Sequence, residues 1–258
     1  MTTWVLLRGW ARESRHWGDF PEVLRAALPA GERVLGIDLP GNGARHADPS
    51  PLHPRAMAAA LRAELERRAL PGPYAVLALS LGGMVAVQWA SERPQDLAAC
   101  VLINSSAGGH APFWRRLRPT AYPRLLGLLR PGLGHVERER GILALTSNHR
   151  AGDAALAQHW AVYARECPVT PANALRQLVA AARFRAPVAA PAVPVLLLAG
   201  AADRLVDPAC SRRLGQCWRT PLRLHPTAGH DLPLDAGPWV AAQVASWWRE
   251  LRLASGGQ

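Results

Sequence analysis

Ser80 is the side chain in this sequence that is best placed for nucleophilic chemistry. It follows the apolar run Tyr74–Leu79 and stands just before Gly82 and Gly83. A serine attacks a carbonyl at neutral pH only when a base activates it, and a sharp strand-to-helix turn with small neighbours exposes its hydroxyl. We therefore predict that Ser80 is a nucleophile and that the Leu81 backbone N–H, at a helix start, stabilises an oxyanion.

Candidates for the base and the acid that such a serine needs follow two later apolar runs. Asp203 comes after Val195–Ala199, and His230 comes after Leu222–His225. A histidine takes the serine proton, and a carboxylate holds the correct tautomer of the imidazole. The order Ser80, Asp203, His230, with a predicted strand before each, predicts a catalytic triad.

Two neighbouring residues are alternatives for these roles. Asp207 precedes Pro208 and is typical of a helix cap, so it is the second choice for the acid. His225 lies within a predicted strand, which favours a structural role. The remaining histidines have no strand-end placement and are expected to be structural or on the surface.

The loop after the first predicted strand, Arg8-Gly9-Trp10, is expected to supply a second oxyanion donor. Gly9 permits the backbone to turn, which would direct the Trp10 N–H toward the same point as the Leu81 N–H. The Trp10 ring would then form a wall of the substrate pocket. The alternative is that Trp10 belongs only to the core.

The elements that must position these residues alternate between apolar runs and helical patterns. This alternation predicts an α/β fold with a mostly parallel central sheet and helices on both faces. The predicted strands are Trp4–Leu7, Val34–Asp38, Tyr74–Leu79, Ala98–Asn104, Val195–Ala199 and Leu222–His225. The predicted helices are Trp17–Leu28, Pro54–Ala69, Gly82–Arg93, Pro208–Cys217 and Pro238–Leu251.

The alternation stops in the middle of the chain. Between residues 107 and 190 the strand signal vanishes, and helical patterns rich in arginine, alanine and leucine replace it. We interpret residues 107–190 as an inserted helical cap, or lid, and residues 1–106 and 191–258 as the core that carries the triad. Trp114 and Tyr122, at the start of the cap, are candidate walls of the substrate pocket, although either could be plain cap core.

The charge is strongly positive and unevenly distributed. The 258 residues carry a net charge of +11, and arginine supplies every basic residue. Residues 112–190 hold twelve arginines and four acids, so +8 of the excess lies there. No nucleic-acid-binding motif accompanies these arginines, so we expect no nucleic-acid partner. A solvated cationic face and a docking surface for an acidic partner both remain open.

Composition gives further expectations. The four cysteines lack metal-ligand spacing, which favours reduced thiols in a cytoplasmic protein. We recognise no signal peptide and no apolar segment long enough for a membrane span. The chemistry of a serine triad requires no metal or organic cofactor.

Several motifs together resemble the α/β-hydrolase superfamily over nearly the whole chain, and the pattern is closest to pimeloyl-acyl-carrier-protein methyl ester esterases. The motifs are Arg8-Gly9-Trp10, Asp38-Leu39-Pro40-Gly41-Asn42-Gly43, Leu79-Ser80-Leu81-Gly82-Gly83, Gly200-Ala201-Ala202-Asp203 and Ala228-Gly229-His230. The resemblance implies a triad of Ser80, Asp203 and His230, amide donors at Trp10 and Leu81, and a four-helix cap. Those relatives usually have His in place of Arg8 and Gly in place of Ala78.

From the residues and the resemblance we expect a serine hydrolase that cleaves a small-molecule carboxylic ester through an acyl-enzyme. Its ester could be bound to an acidic acyl carrier protein that docks on the arginine-rich cap. The same triad would also suit a thioesterase, a lactonase, an acyltransferase or a cofactor-free haloperoxidase. A ligand-binding receptor that keeps the hydrolase fold is the alternative without catalysis.

Overall fold

The computed structural model describes residues 1–128, 130 and 132–256. Within this part of the chain, six parallel strands form one sheet in the order β2-β1-β3-β4-β5-β6. The strands are β1 (Thr3–Leu7), β2 (Arg33–Gly36), β3 (Tyr74–Leu79), β4 (Leu97–Ile103), β5 (Val195–Gly200) and β6 (Leu222–His225). Because all strands are parallel, the loops that follow them open on one edge of the sheet.

Helices connect the strands and cover the sheet. They are α1 (Phe20–Ala27), α2 (Pro54–Arg67), α3 (Leu81–Glu92), α4 (Phe113–Arg116), α5 (Tyr122–Leu128), α6 (His135–Thr146), α7 (Ala154–Glu166), α8 (Pro171–Arg183), α9 (Ala209–Trp218) and α10 (Leu232–Gly256). Pro54 and Pro171 stand at the first positions of α2 and α8, where the missing N–H of proline costs no helical hydrogen bond.

Two hydrophobic layers pack against the two faces of the sheet. On one face, alternate strand residues such as Val5 and Val76 pack with side chains from α2, α3 and α9. On the other face, Leu6 and Leu77 pack with side chains from α1 and α10. The central strands are buried on both faces, which explains their continuous apolar sequences. The predicted fold class is confirmed.

The predicted elements agree with the structure to within a few residues, apart from the last helix. The bounds of β3 and β6 are those predicted. The helix expected from Pro238 begins instead at Leu232, with a kink at Ala236 where the backbone has φ −148°. Pro238 therefore opens the longer, second part of α10, and the first turn follows His230 almost directly. A rule based on proline at a helix start finds only the second part.

Residues 107–190, which we call the helical segment, contain α4 to α8. Its backbone contributes no strand among the described residues, and one isolated parallel bridge joins Gly108 to Arg185 near its two ends. This agrees with the predicted loss of strand signal, whereas the boundaries of a separate cap domain remain a prediction. Over the described part of the chain, no helix combines the length and the apolar character that crossing a membrane requires.

Candidate active site

Ser80 occupies the sharp turn between β3 and α3. Its backbone has φ 55° and ψ −116°, a region that residues other than glycine rarely adopt and that costs about 1–3 kcal/mol. The Ser80 N–H donates to the Ile103 carbonyl at 2.9 Å, and the Ser80 carbonyl accepts from the Ser105 hydroxyl at 2.9 Å. The end of β4 thus holds this strained turn in place.

Two glycines allow the surrounding backbone to approach Ser80 closely. A Cβ on Gly9 would lie 3.1 Å from the Ser80 Cβ and 3.6 Å from its Oγ. A Cβ on Gly82 would lie 2.6 Å from the Leu7 carbonyl oxygen and 2.7 Å from that of Arg8. The start of α3 therefore lies against the end of β1, and the loop after β1 lies against Ser80.

The predicted oxyanion donors belong to the two segments that pack together here, the loop after β1 and the start of α3. Leu81 is the first residue of α3, so its N–H has no partner within the helix. Among the described residues, neither the Leu81 N–H nor the Trp10 N–H donates to a protein acceptor. Their role as donors to a substrate oxygen stays a prediction.

The loop that carries Trp10 is held by the helical segment. The Trp10 indole Nε1 donates to the Ala174 carbonyl at 2.8 Å, and the Ala11 N–H donates to the Gln177 side chain at 2.8 Å. Ala11 has a φ of 52°. Both partners belong to α8, so the position of the Trp10 amide depends on the helical segment. The ring is thus bonded to this segment, and its role as a pocket wall stays a prediction.

Asp203 and His230 form a buried pair. The His230 Nδ1 lies 2.7 Å from the Asp203 Oδ2, and the two residues are 5% and 1% exposed, respectively. The other oxygen, Oδ1, accepts from the N–H groups of Leu205 at 2.7 Å and Val206 at 3.0 Å. Because these amides fix the carboxylate, it can hold the imidazole with Nδ1 as the donor, which leaves Nε2 for proton transfer.

Residues on both sides anchor the loop that carries His230. At the end of β4, the Asn104 Nδ2 donates to the carbonyls of Gly229 at 3.1 Å and His230 at 2.7 Å. At the end of β1, Arg8 forms an ion pair with Asp231. In the sheet β3 lies between β1 and β4, so the anchors of the His230 loop are on either side of the strand that ends at Ser80.

No hydrogen bond joins the Ser80 hydroxyl to the His230 ring among the described residues. The structure nevertheless connects their backbones, because Ser105 binds Ser80 and its neighbour Asn104 binds His230. Sequence reasoning assigned Asn104 only to the end of a strand. Its φ of 45° is typical of asparagine, and a polar residue ending a buried strand is the signal that could have identified it.

The alternative candidates have other roles. The Asp207 Oδ1 accepts from the Ala209 N–H at 2.9 Å at the start of α9, as expected for a helix cap. The His225 Nδ1 accepts from the Ala228 N–H at 3.1 Å, and the ring packs against Trp239. Neither side chain contacts His230 or Asp203 by a hydrogen bond within the described residues.

The candidate pocket walls lie in the helical segment. Trp114 is 52% exposed and packs edge-on against Phe113, and the Tyr122 hydroxyl donates to the Leu117 carbonyl at 3.3 Å. Clefts of about 600 and 360 Å³ lie elsewhere, beside α2 and the end of α3. Neither cleft is lined by a predicted site residue, so the roles of Trp114 and Tyr122 stay predictions.

A polar cluster fixes the next part of the loop after β1. Arg12 donates to the His16 Nε2 at 2.8 Å and to the Glu139 carboxylate at 2.7 Å, while the His16 ring packs edge-on against Trp160. Burial, together with the nearby Arg12 charge, lowers the pKa of His16 well below its ordinary value of 6.5. Since arginine can only donate, the His16 Nε2 accepts the bond from Arg12.

The parallel sheet and the strand-end placement of these side chains define an α/β hydrolase. The sequence model of the Alpha/beta hydrolase family matches residues 4–243, and the chain belongs to this family. Across the described residues, no three His, Cys, Asp or Glu side chains form a group that could hold a metal ion.

Comparison with known proteins identifies relatives of several kinds. The chain is 35% identical over 103 residues to a pimeloyl-[acyl-carrier protein] methyl ester esterase of Nitrosomonas europaea. These 103 residues make up 40% of this chain and 36% of that protein. It is 30% identical over 164 residues to a 2-hydroxy-6-oxononadienedioate/2-hydroxy-6-oxononatrienedioate hydrolase of Cupriavidus pinatubonensis, covering 58% of this chain and 52% of that protein. The matches thus span about a third to a half of these relatives' lengths.

The solved structures share the fold at lower identity. A thermophilic esterase from Thermogutta terrifontis superposes with a TM-score of 0.70 at 20% identity, over 97% of this chain and 90% of that chain. This similarity establishes the fold over almost the whole sequence.

Proposed function

We propose that this protein is a serine hydrolase that cleaves a carboxylic ester through Ser80, His230 and Asp203. The observation that carries the proposal is the pairing of the His230 Nδ1 with the Asp203 Oδ2 at 2.7 Å, in a loop anchored on both sides of the strand ending at Ser80. Membership of the hydrolase family and the strained backbone of Ser80 support it.

In the proposed reaction, the His230 Nε2 takes the Ser80 proton as the Ser80 Oγ attacks the ester carbonyl carbon. The Leu81 and Trp10 amides stabilise the resulting oxyanion, and each contributes about 3 kcal/mol. Protonated His230 donates its proton to the leaving alkoxide, and the alcohol departs from an acyl-enzyme. His230 then removes a proton from water, which attacks the acyl carbon. As the bond between the acyl carbon and the Ser80 Oγ breaks, His230 returns this proton to the Oγ, and the acid is released.

Two measurements test this proposal with matched controls. A fluorophosphonate probe should label the wild type at Ser80, and p-nitrophenyl esters of graded length should be hydrolysed. Ser80→Ala should lose labelling and about 10⁴-fold or more in kcat while staying folded. Ser211→Ala, at a buried serine of α9, should retain both activities. Unlabelled wild type would favour the receptor alternative, and active Ser80→Ala would disprove the mechanism.

The acid is tested in the same way. Asp203→Asn should reduce kcat by about 10⁴-fold, because an amide cannot hold the required imidazole tautomer as the carboxylate does. Asp207→Asn is the matched control and should keep kcat, since asparagine also caps a helix. The reverse result would transfer the role of the acid to Asp207.

A finer proposal is that the ester is carried by an acidic acyl carrier protein. Curated relatives are named pimeloyl-[acyl-carrier protein] methyl ester esterases, and the helical segment is strongly basic. Several of its arginines are exposed and have no acidic partner among the described residues. They are Arg124, Arg130, Arg140, Arg165 and Arg185. Hydrolysis of one acyl group should be faster from the carrier than from a free ester, and salt should remove the difference.

Equal rates for the two esters at every salt concentration would mean that these arginines form a solvated surface and do not dock a carrier protein. Thioesters, lactones and other acyl acceptors are substrates that the same three groups could serve. Comparing the kcat/KM of each with that of the matching oxygen ester would rank them.

A further inference from the structure

Arg8 and Asp231 form a buried ion pair that has no part in the proposed proton transfers. The Arg8 Nη1 donates to the Asp231 Oδ1 at 3.1 Å, and the Nη2 donates to the Oδ2 at 2.5 Å. Each side chain is only 4% exposed. A guanidinium that binds a carboxylate at two points fixes its orientation as well as its distance.

The two residues join the loops that carry two parts of the proposed machinery. Arg8 immediately precedes Gly9 and Trp10, and Asp231 immediately follows His230. The pair spans 223 positions of sequence. It therefore ties the loop of the oxyanion donor directly to the loop of the base.

Both members of the pair are held on further sides. The Arg8 guanidinium lies over the Trp17 ring, 4.8 Å from its centroid. The Asp231 N–H donates to the Thr146 carbonyl at 2.8 Å, at the end of α6. The ion pair is thus a fixed connection rather than two mobile side chains that meet at the surface.

The buried ion pair is not explained by its contribution to the folding free energy. Removing two charges from water offsets most of their attraction, and well-packed apolar residues of similar volume are often equally or more stabilising. The Arg8 Nε is also buried without a hydrogen-bond partner among the described residues, which adds a cost. Geometric control of the two loops is the benefit that an apolar pair would not provide.

We propose that Arg8 and Asp231 are positioning residues for ester hydrolysis, which set the His230 imidazole relative to Ser80 and the Trp10 amide. The inference rests on the proposed function. Asn104 anchors the His230 loop at one end, and the ion pair anchors it at the other. Without the ion pair, Asn104, the Asp235 carboxylate and the Thr146 carbonyl still bind the loop, but no side chain ties it to the end of β1, so the imidazole shifts. Misplacement of a reacting group by about 1 Å can cost 10²-fold in rate.

The double variant Arg8→Met/Asp231→Leu separates positioning from stability. Either single change leaves a buried charge without its partner and should lower the melting temperature strongly. The double variant removes both charges, so its melting temperature should return close to that of the wild type. Its kcat should still be reduced by about 10-fold to 100-fold, with KM almost unchanged. A double variant with wild-type kcat would overturn the proposal.

A second variant and a spectroscopic measurement test the proposal even if the double variant does not fold. Arg8→Lys keeps the charge but loses the two-point contact, so it should fold and show a smaller loss of kcat. In both variants the low-field proton resonance of the His230 Nδ1–H should shift, because that resonance reports the contact with Asp203. Unchanged kcat in Arg8→Lys, or loss of fold in both variants, would assign the pair a structural role only.

Controls distinguish failure of this inference from failure of the proposed function. Arg252→Met breaks an ion pair with the buried Glu32 that is remote in sequence from both loops. It should lower the melting temperature and leave kcat unchanged. If the wild type is labelled at Ser80 and Ser80→Ala is inactive, a fully active double variant refutes only the positioning role. If Ser80→Ala remains active, the proposed function itself fails.

Discussion

At Gly82, one added methyl group should lower kcat while leaving KM almost unchanged. An alanine Cβ at Gly82 would lie 2.6 Å from the Leu7 carbonyl oxygen and 2.7 Å from the Arg8 carbonyl oxygen. Both oxygens belong to the backbone at the end of a central strand, so the start of α3 must move instead. Relief of this overlap requires a displacement on the order of half an ångström or more.

This displacement moves the Leu81 N–H away from the Trp10 N–H, the other proposed oxyanion donor. Loss of one such donor costs about 10²–10³ in kcat. We therefore expect Gly82→Ala to lower kcat about a hundredfold with a small change in KM. Overpacking should also reduce the free energy of unfolding by about 1–3 kcal/mol.

The assay is p-nitrophenyl ester hydrolysis with a thermal melt of each sample. Gly127→Ala, in α5, is the matched control because, apart from its chain neighbours and its own helix backbone, no atom of the described residues lies within 4 Å of the added Cβ. It should keep wild-type kcat, and its stability should be unchanged or higher by up to about 1 kcal/mol. A folded Gly82→Ala variant with kcat within about twofold of the wild type would refute the oxyanion geometry.

Three further predictions concern buried groups. Asn104→Ala removes three hydrogen bonds and should lower the free energy of unfolding by about 2–4 kcal/mol, seen in urea melts, with a loss of kcat. Since the folded-state pKa of His16 is depressed, the free energy of unfolding is retained above about pH 6.5 and falls below it, so His16→Gln should lose less stability than the wild type on acidification in thermal melts. Burial raises the pKa of Cys100 and Cys210 to about 12, so iodoacetamide should alkylate the exposed Cys217 well before either of them.

Each of these predictions has a contrary outcome. An Asn104→Ala variant as stable and active as the wild type would show that the His230 loop needs no anchor at β4. Parallel pH profiles of wild type and His16→Gln would mean that the pKa of His16 is the same in the folded and unfolded states. Alkylation of Cys100 at the rate of Cys217 in the native protein would contradict its burial.

Local sequence pattern was sufficient to predict the sheet and the strand-end residues. Continuous apolar runs such as Val195–Ala199 are the direct consequence of strands covered on both faces, so they identify the strands without tertiary information. The residues after each run then fall at one edge of a parallel sheet, which is why Ser80, Asp203 and His230 could be selected as one group. The pairing of Asp203 with His230 follows from that common edge.

Packing of distant segments decided the features that local pattern could not predict. Three such contacts join residues more than 100 positions apart. They are the two-point contact of Arg8 with Asp231, the hydrogen bond from Asn104 to the His230 carbonyl, and the hydrogen bond from Trp10 to the helical segment. Periodicity and helix or strand propensity describe neighbours along the chain. Which loops meet above the sheet depends on how the helical segment and α10 pack, and that is determined only in the folded molecule.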